Sequence, residues 1–447
     1  MNRYGNWLKE AEIISGVLKD SPDIDRELRV SPAEFKRRRD TVWRALEKAG
    51  VQAAIVYSDE HYNGDVPYLG GNTNITIEPV AGVIGKNGFH ILAGLEGGYV
   101  AEQLSPRSGA KVHKVEMLKL ADENYPIDAE RVEDIMEEAA GRKPDAIGLL
   151  TPLAVLPASV YDFLAAYMGG RERILDMQRL YQEIKYEKSD EEMRLIEDAG
   201  KIADEMIKGM LYVLRPGLYE TQVAQWGYAI ALELGAEEMG FDVMVTSGEA
   251  NRTLIGKALN RVIQEGDIVH IGVAPKRDGL NACQRVSVAV GKVTEWQKFW
   301  FDFVEQAFEV GLSAYIRAAE RNLPAKTQEQ ALIDYFESRQ EEVSKMIGKP
   351  VDLAKLKPYT GTHNSGYTEC QEFYGAITLD SHEPLGRQIV TMLDVAVRGV
   401  GNKWDDIVIP GLDYVVAEKT LGKYGAAVKP LNSLPVNLQE FVGRGYR

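Results

Sequence analysis

Cysteine is nearly missing from this chain, which has two among 447 residues. That is too few for a disulfide framework, and with no apolar signal core in the opening MNRYGNWLKEAEII it fits a reducing cytoplasm. Long apolar runs are also lacking. The most apolar stretch, residues 146–160, is broken by Thr151, Pro152 and Pro157, so no membrane span and no membrane partner are expected. A basic run is missing as well, and 52 basic against 67 acidic residues leave a net charge of −15. This balance repels phosphate backbones and anionic lipid, which argues against nucleic acid as a partner. There is no short-period repeat and no low-complexity segment. What remains is an ordinary globular composition, 45% apolar, in a length that suits two or three domains.

The pattern along the chain divides accordingly. Residues 1–30 are polar and helical, an arm in front of the first domain. Residues 31–182 alternate helical and strand patterns, with a helix over 32–49, a strand over 51–56 and a turn-rich piece over 62–74. Residues 183–447 follow as a second domain. It begins with a capping box, Ser189 with Glu192 three residues on, and a stripe of Met193, Ile196, Ile202, Met206 and Leu214 that Arg215-Pro216-Gly217 terminates. Two long amphipathic helices, 295–321 and 328–346, are separated at Pro324.

The most informative stretch is 266–290. It reads as two period-two strands, 268–274 and 280–290, joined by a turn whose Asp278-Gly279 favours a hairpin. Alternation places His270, Gly272 and Ala274 on one face of the first strand, and Asn281, Cys283, Arg285 and Ser287 on one face of the second. This hairpin resembles that of the creatinase, prolidase and methionine aminopeptidase superfamily, the pita-bread enzymes, in which two aspartates on the two strands bind metal. With Gly266-Asp267 setting the register, the resemblance puts the first aspartate at Gly272 and the second at Cys283. Both carboxylates are absent.

The likeness extends through the chain. Glu183-Ile184-Lys185 resembles the family's linker, Pro67-Tyr68-Leu69-Gly70-Gly71 its amino-terminal Tyr-Leu-Thr-Gly segment, and Thr246-Ser247-Gly248 with Asn251 its Ser-Gly-x-Asn loop, although the histidine that follows there is missing. His363 matches a conserved-type metal histidine, while Cys370 stands at a second histidine seven residues on and Gln371 at the glutamate after it. Met392-Leu393-Asp394 resembles the strand of Ile-Glu-Pro-Gly, and Lys403-Trp404-Asp405-Asp406 resembles Arg-Ile-Glu-Asp. Five ligand positions thus read Gly272, Cys283, His363, Asp394 and Asp405 for Asp, Asp, His, Glu and Glu.

The resemblance implies an α/β (α+β) protein, a creatinase-type amino-terminal α/β domain followed by a pita-bread catalytic domain, assembled as a homodimer. A glycine offers no ligand, so the expectation is a metal-independent, creatinase-like hydrolase that cleaves a C–N bond of a small cationic or zwitterionic substrate. No cofactor is expected, or at most one divalent metal. Within that reading His363, Cys283 and Cys370 are the candidate catalytic groups, as general base or nucleophile. Asp394, Asp405, His270, Arg285 and Gln371 are the candidate substrate-binding groups. Two alternatives stay open: a divergent Xaa-Pro aminopeptidase or dipeptidase with a mononuclear metal, and a non-catalytic protein that binds a ligand in the old pocket.

Overall fold

The structure, a computed structural model, describes residues 3–120, 128–369 and 375–447. It divides into two compact units, one of residues 28–192 and one of the described residues in 3–27 and 193–447.

The first unit is built on a six-stranded mixed sheet in the order β4-β3-β2-β1-β5-β6. Its strands are β1 (Ala53–Ser58), β2 (Val80–Gly85), β3 (Gly88–Ala93), β4 (Lys111–Lys114), β5 (Ile147–Leu149) and β6 (Ile174–Asp176). The helix expected over 32–49 runs Pro32–Lys48, started by the Ser31 hydroxyl, which accepts from the Glu34 N–H. Part of the turn-rich stretch is instead a short helix, Asp65–Gly70, that ends on Gly71 in the left-handed region. Burial explains it. Asp65 is 1% exposed, accepts from Lys185 Nζ at 2.7 Å and from the Thr151 hydroxyl at 2.6 Å, and so fixes this segment from inside. Lys185, one of the linker residues, therefore has a structural partner.

The second unit holds the hairpin. Its strands are β7 (Glu238–Met239), β8 (Met244–Ser247), β9 (Ile268–Val273), β10 (Pro275–Arg277), β11 (Leu280–Asn281), β12 (Gln284–Ala289), β13 (Thr362–Asn364), β14 (Gln388–Arg398), β15 (Tyr414–Tyr424) and β16 (Ala427–Pro430). An antiparallel sheet runs β13-β14-β15-β12-β9-β8, with β16 on β15. The expected turn is present: Asp278 and Gly279 have φ of 49° and 82°, the two positive values that a primed two-residue hairpin turn requires. Alternation then sorts the side chains. Val269, Ile271, Val273, Val286 and Val288 join one core with the helices Asp190–Val213 and Glu220–Glu233, which turns His270, Gly272 and Arg285 to the other face.

The amino-terminal helix Arg3–Lys19 belongs to this second unit, where buried Glu10 accepts from Arg215 Nη2 at 3.0 Å and from Trp226 Nε1 at 3.1 Å. The long helices are Glu295–Arg321, opened by a Thr294–Gln297 capping box, and Lys326–Ile347. The first lies on β14: a Cβ at Gly311 would stand 3.1 Å from Leu393, so the opposite side of β14 is left for Met392 and Asp394. No described helix is long and apolar enough to cross a membrane.

Candidate functional site

Strand register assembles the site. Antiparallel pairing sets Gly272 opposite Arg285, Arg285 opposite Glu418 and Glu418 opposite Asp394, a single row of side chains across β9, β12, β15 and β14. Two residues along each strand, Thr420, Met392 and His363 form a neighbouring row through β15, β14 and β13. Cys283 joins that row, since its backbone N–H donates to the Thr420 hydroxyl at 2.8 Å and the hydroxyl donates back to the Cys283 carbonyl at 2.9 Å. Side chains directly opposite one another in a sheet lie within contact distance, so a charged row of this kind must neutralise itself or bind a cation.

At one end it neutralises itself. Arg285, 6% exposed, donates from Nη1 to Asp394 Oδ2 at 3.0 Å and from Nη2 to the Tyr414 hydroxyl at 2.7 Å, and its Nε lies 3.8 Å from Glu418 Oε2. His270 accepts from Arg285 Nε at Nε2 (3.1 Å), which leaves its Nδ1–H to face the Thr246 hydroxyl at 3.3 Å; that hydroxyl donates to Asn251 Oδ1 at 2.7 Å. Burial first, and the adjacent guanidinium second, hold the His270 imidazole well below its ordinary range. It is a neutral acceptor inside the protein, with both nitrogens engaged.

At the other end, among the described residues, one acceptor stays unmatched. Glu418 Oε1 is buried without a hydrogen-bond partner. His363 Nε2 stands 3.5 Å from Glu418 Oε1 and 3.5 Å from Glu369 Oε1. Cys283 Sγ donates to Glu418 Oε2 at 3.2 Å, and burial, then the charges of Glu418 and Glu369, push its thiol well above the ordinary cysteine range. That environment opposes a free thiolate nucleophile. Burial and the neighbouring Glu418 push the Asp394 carboxyl up to about 7, against the pull of Arg285.

The donors fit a metal ion. Cys283, Glu369 and Glu418 form one group, and His363, Asp394 and Glu418 a second, each with its ligand atoms within 4.8 Å of one another. Two ligands on one tetrahedral ion, each about 2.1 Å from it, stand about 3.4 Å apart. The His363-to-carboxylate separations of 3.5 Å match that spacing, and the partnerless oxygen of Glu418 lies between the groups. A third group, His90, His113 and Glu138, lies in the first unit, but there His90 Nδ1 and His113 Nε2 are hydrogen-bonded to each other at 2.9 Å and Glu138 pairs with Lys111.

Register also corrects one expected site residue. Asp405 does not join Asp394; it is exposed in the turn between β14 and β15, where its carbonyl accepts from the Ile407 N–H. The acid opposite Asp394 is Glu418, 2% exposed in the apolar strand β15. A lone glutamate in Tyr-Val-Val-Ala-Glu-Lys-Thr is itself a signal, because a buried charge among β-branched residues needs a reason. Tyr359, Tyr414 and Glu369 likewise enter the site without having been expected there. Arg285, His270, Cys283, His363 and Asp394 are brought together, while Cys370 and Gln371 lie outside the described residues.

Residues 194–367 match the model of metallopeptidase family M24. In sequence the chain is 22% identical over 242 residues to the uncharacterized peptidase YqhT of Bacillus subtilis, covering 54% of this chain and 66% of that protein. It is 27% identical over 149 residues to an Xaa-Pro dipeptidase of Pyrococcus furiosus, covering 33% and 41%. Each alignment thus spans less than two thirds of the relative. In structure it superposes on the prolidase from Pyrococcus horikoshii with a TM-score of 0.68 at 16% identity, over 91% of this chain and 100% of that one. The metallopeptidase match, the dipeptidase relative and the two donor groups overturn the expectation of a site without a cofactor. Residues 194–367 thus carry an M24 metallopeptidase segment, and the chain has the fold seen in prolidase.

Proposed function

We propose that the protein is a metal-dependent hydrolase of peptide C–N bonds, a divergent Xaa-Pro dipeptidase or aminopeptidase that works with one divalent ion. The observation that carries this reading is the donor group of His363, Asp394 and Glu418, in which His363 Nε2 stands 3.5 Å from a buried Glu418 oxygen that has no hydrogen-bond partner. His363, Asp394 and Glu418 would hold the ion, with Cys283 as a thiolate donor from the far side of Glu418. A bound divalent ion would polarise the scissile carbonyl and lower the pKa of a water molecule.

The chain's own groups supply the rest. Glu369, whose side chain is 29% exposed, is the carboxylate of the cluster open to solvent, and we assign it the proton taken from the attacking water. His363 then acts as a ligand rather than a general base. Asp394 must be ionised to hold a cation, and the guanidinium of Arg285 at 3.0 Å favours that form against the burial that disfavours it. For assembly we propose a homodimer, supported by the apolar side chains that the amino-terminal helix leaves exposed, Tyr4, Trp7 and Leu8; light scattering decides it.

The test is a turnover screen. Chelator-treated protein is assayed against a panel of dipeptides, including Xaa-Pro members, before and after Mn²⁺, Co²⁺ or Zn²⁺ is restored. Cleavage that appears only with metal is expected. Cleavage unchanged by chelation, or no cleavage of any panel member by metal-loaded protein, overturns the reading.

A further inference from the structure

Arg285 has a role that the proposed metal does not explain. A guanidinium carries five N–H donors, and five acceptors surround this one. Nε donates to His270 Nε2 at 3.1 Å; Nη1 donates to Asp394 Oδ2 at 3.0 Å and to the Tyr359 hydroxyl at 3.1 Å; Nη2 donates to the Leu254 carbonyl at 2.6 Å and to the Tyr414 hydroxyl at 2.7 Å. No donor is left over for a substrate. A group so completely enclosed holds other residues in place.

Its position is as telling as its partners. Arg285 is directly paired with Gly272, the residue at which the family's first metal-binding aspartate falls. A Cβ at Gly272 would stand 3.1 Å from Arg285 Cγ and 3.4 Å from His270 Nε2, so any longer side chain there competes with the arginine for the same space. The glycine at 272 and the guanidinium at 285 thus occupy facing positions, and the one makes room for the other. Leu254 adds to this. It has φ of +61°, a backbone conformation that residues other than glycine seldom adopt, and its carbonyl accepts from Arg285 Nη2. Strain of that kind persists only where the surroundings impose it.

We propose that Arg285 is a built-in cation standing in for one metal ion of a dinuclear site, so that this pocket takes one metal and not two. The inference rests on the metal-binding reading given above. Arg285 is a positioning residue: its charge offsets Asp394 and Glu418, and its bond to Leu254 pins the loop 248–256 against β9 and β12. The protein has on this account kept two cations in the pocket, one of them covalently attached and always protonated.

Metal stoichiometry separates the possibilities. Full-length protein freed of metal is titrated with Co²⁺, followed by visible absorption and by elemental analysis after gel filtration. Wild type is expected to saturate at one equivalent, Arg285→Lys also at one, and the double variant G272D/R285S at two. Wild type that takes two equivalents overturns the inference, as does a folded double variant that gains none. If wild type takes no Co²⁺, the metal-binding reading falls by itself; a gain of one ion in the double variant would still support the proposal, and no gain would end it. Should the double variant not fold, Gly272→Asp alone decides: with Arg285 still filling the space beside position 272 stoichiometry stays at one, whereas a second ion overturns the proposal.

Discussion

His270 and His363 sit in the same antiparallel sheet, 0% and 7% exposed, and face opposite fates. At the His270 end every donor of Arg285 meets an acceptor, and the histidine is held neutral between Arg285 and Thr246. At the His363 end the imidazole stands 3.5 Å from Glu369 and Glu418, and among the described residues Glu418 Oε1 has no hydrogen-bond partner. The two ends share Glu418 and Asp394, so burial and strand type do not distinguish them. What differs is the net count of cations. One end carries its own in Arg285, and on the reading proposed above a metal ion would supply the other, so that the first would serve stability and the second binding.

The sharpest way to break this contrast is at the shared residue. Glu418→Gln is expected to lower metal affinity by roughly 10² or more, since it removes a charged ligand and not only an outer-shell contact; competition with a chromophoric chelator measures it. A variant that binds metal like wild type would show that Glu418 answers only to Arg285 and Cys283.

Next come the two ends separately. Arg285→Met strips the charge from a closed network and leaves His270 and Asp394 without their partner, and a loss of about 3–5 kcal/mol in denaturant unfolding of metal-free protein is expected. His363→Ala under the same conditions should change stability far less while abolishing tight metal binding. If the two variants exchange these phenotypes, the division of the pocket into a structural and a binding end is wrong.

Acidity tests it further. The Asp394 carboxyl titrates near 7 in the folded, metal-free protein and near its ordinary value unfolded, so it binds a proton more readily when folded. Its contribution favours the folded state at low pH and is lost as pH rises through about 7. A metal ion must displace that proton, so affinity should climb between pH 5.5 and 7.5 and then flatten, readable by titration calorimetry in buffers of different ionisation heat. Affinity independent of pH over this range would place Asp394 outside the ligand set. The smallest effect belongs to Asp405→Asn: an exposed turn residue should change stability by less than about 0.5 kcal/mol and leave metal binding intact.

Much of this protein can be read without coordinates, because the relevant signals are local. Period-two alternation and the Asp278-Gly279 turn place the hairpin and put His270, Gly272, Cys283 and Arg285 on a common face; the cap at Ser189 places a helix start. Glu418 is likewise an acid in an apolar strand, whereas the likeness of Lys403-Trp404-Asp405-Asp406 to a family motif points to the turn. Resemblance over four residues carries no register. Which acid faces Asp394 depends on how β14 pairs with β15, a contact between distant residues that only the folded sheet settles, and a slip of one residue would turn Glu418 to the other face. The sequence by itself pointed to the pita-bread fold and to a glycine at 272, where the resemblance expects an aspartate. Only the tertiary structure decided what filled its place, since the five acceptors that enclose Arg285 come from five separate segments and meet nowhere but in the fold.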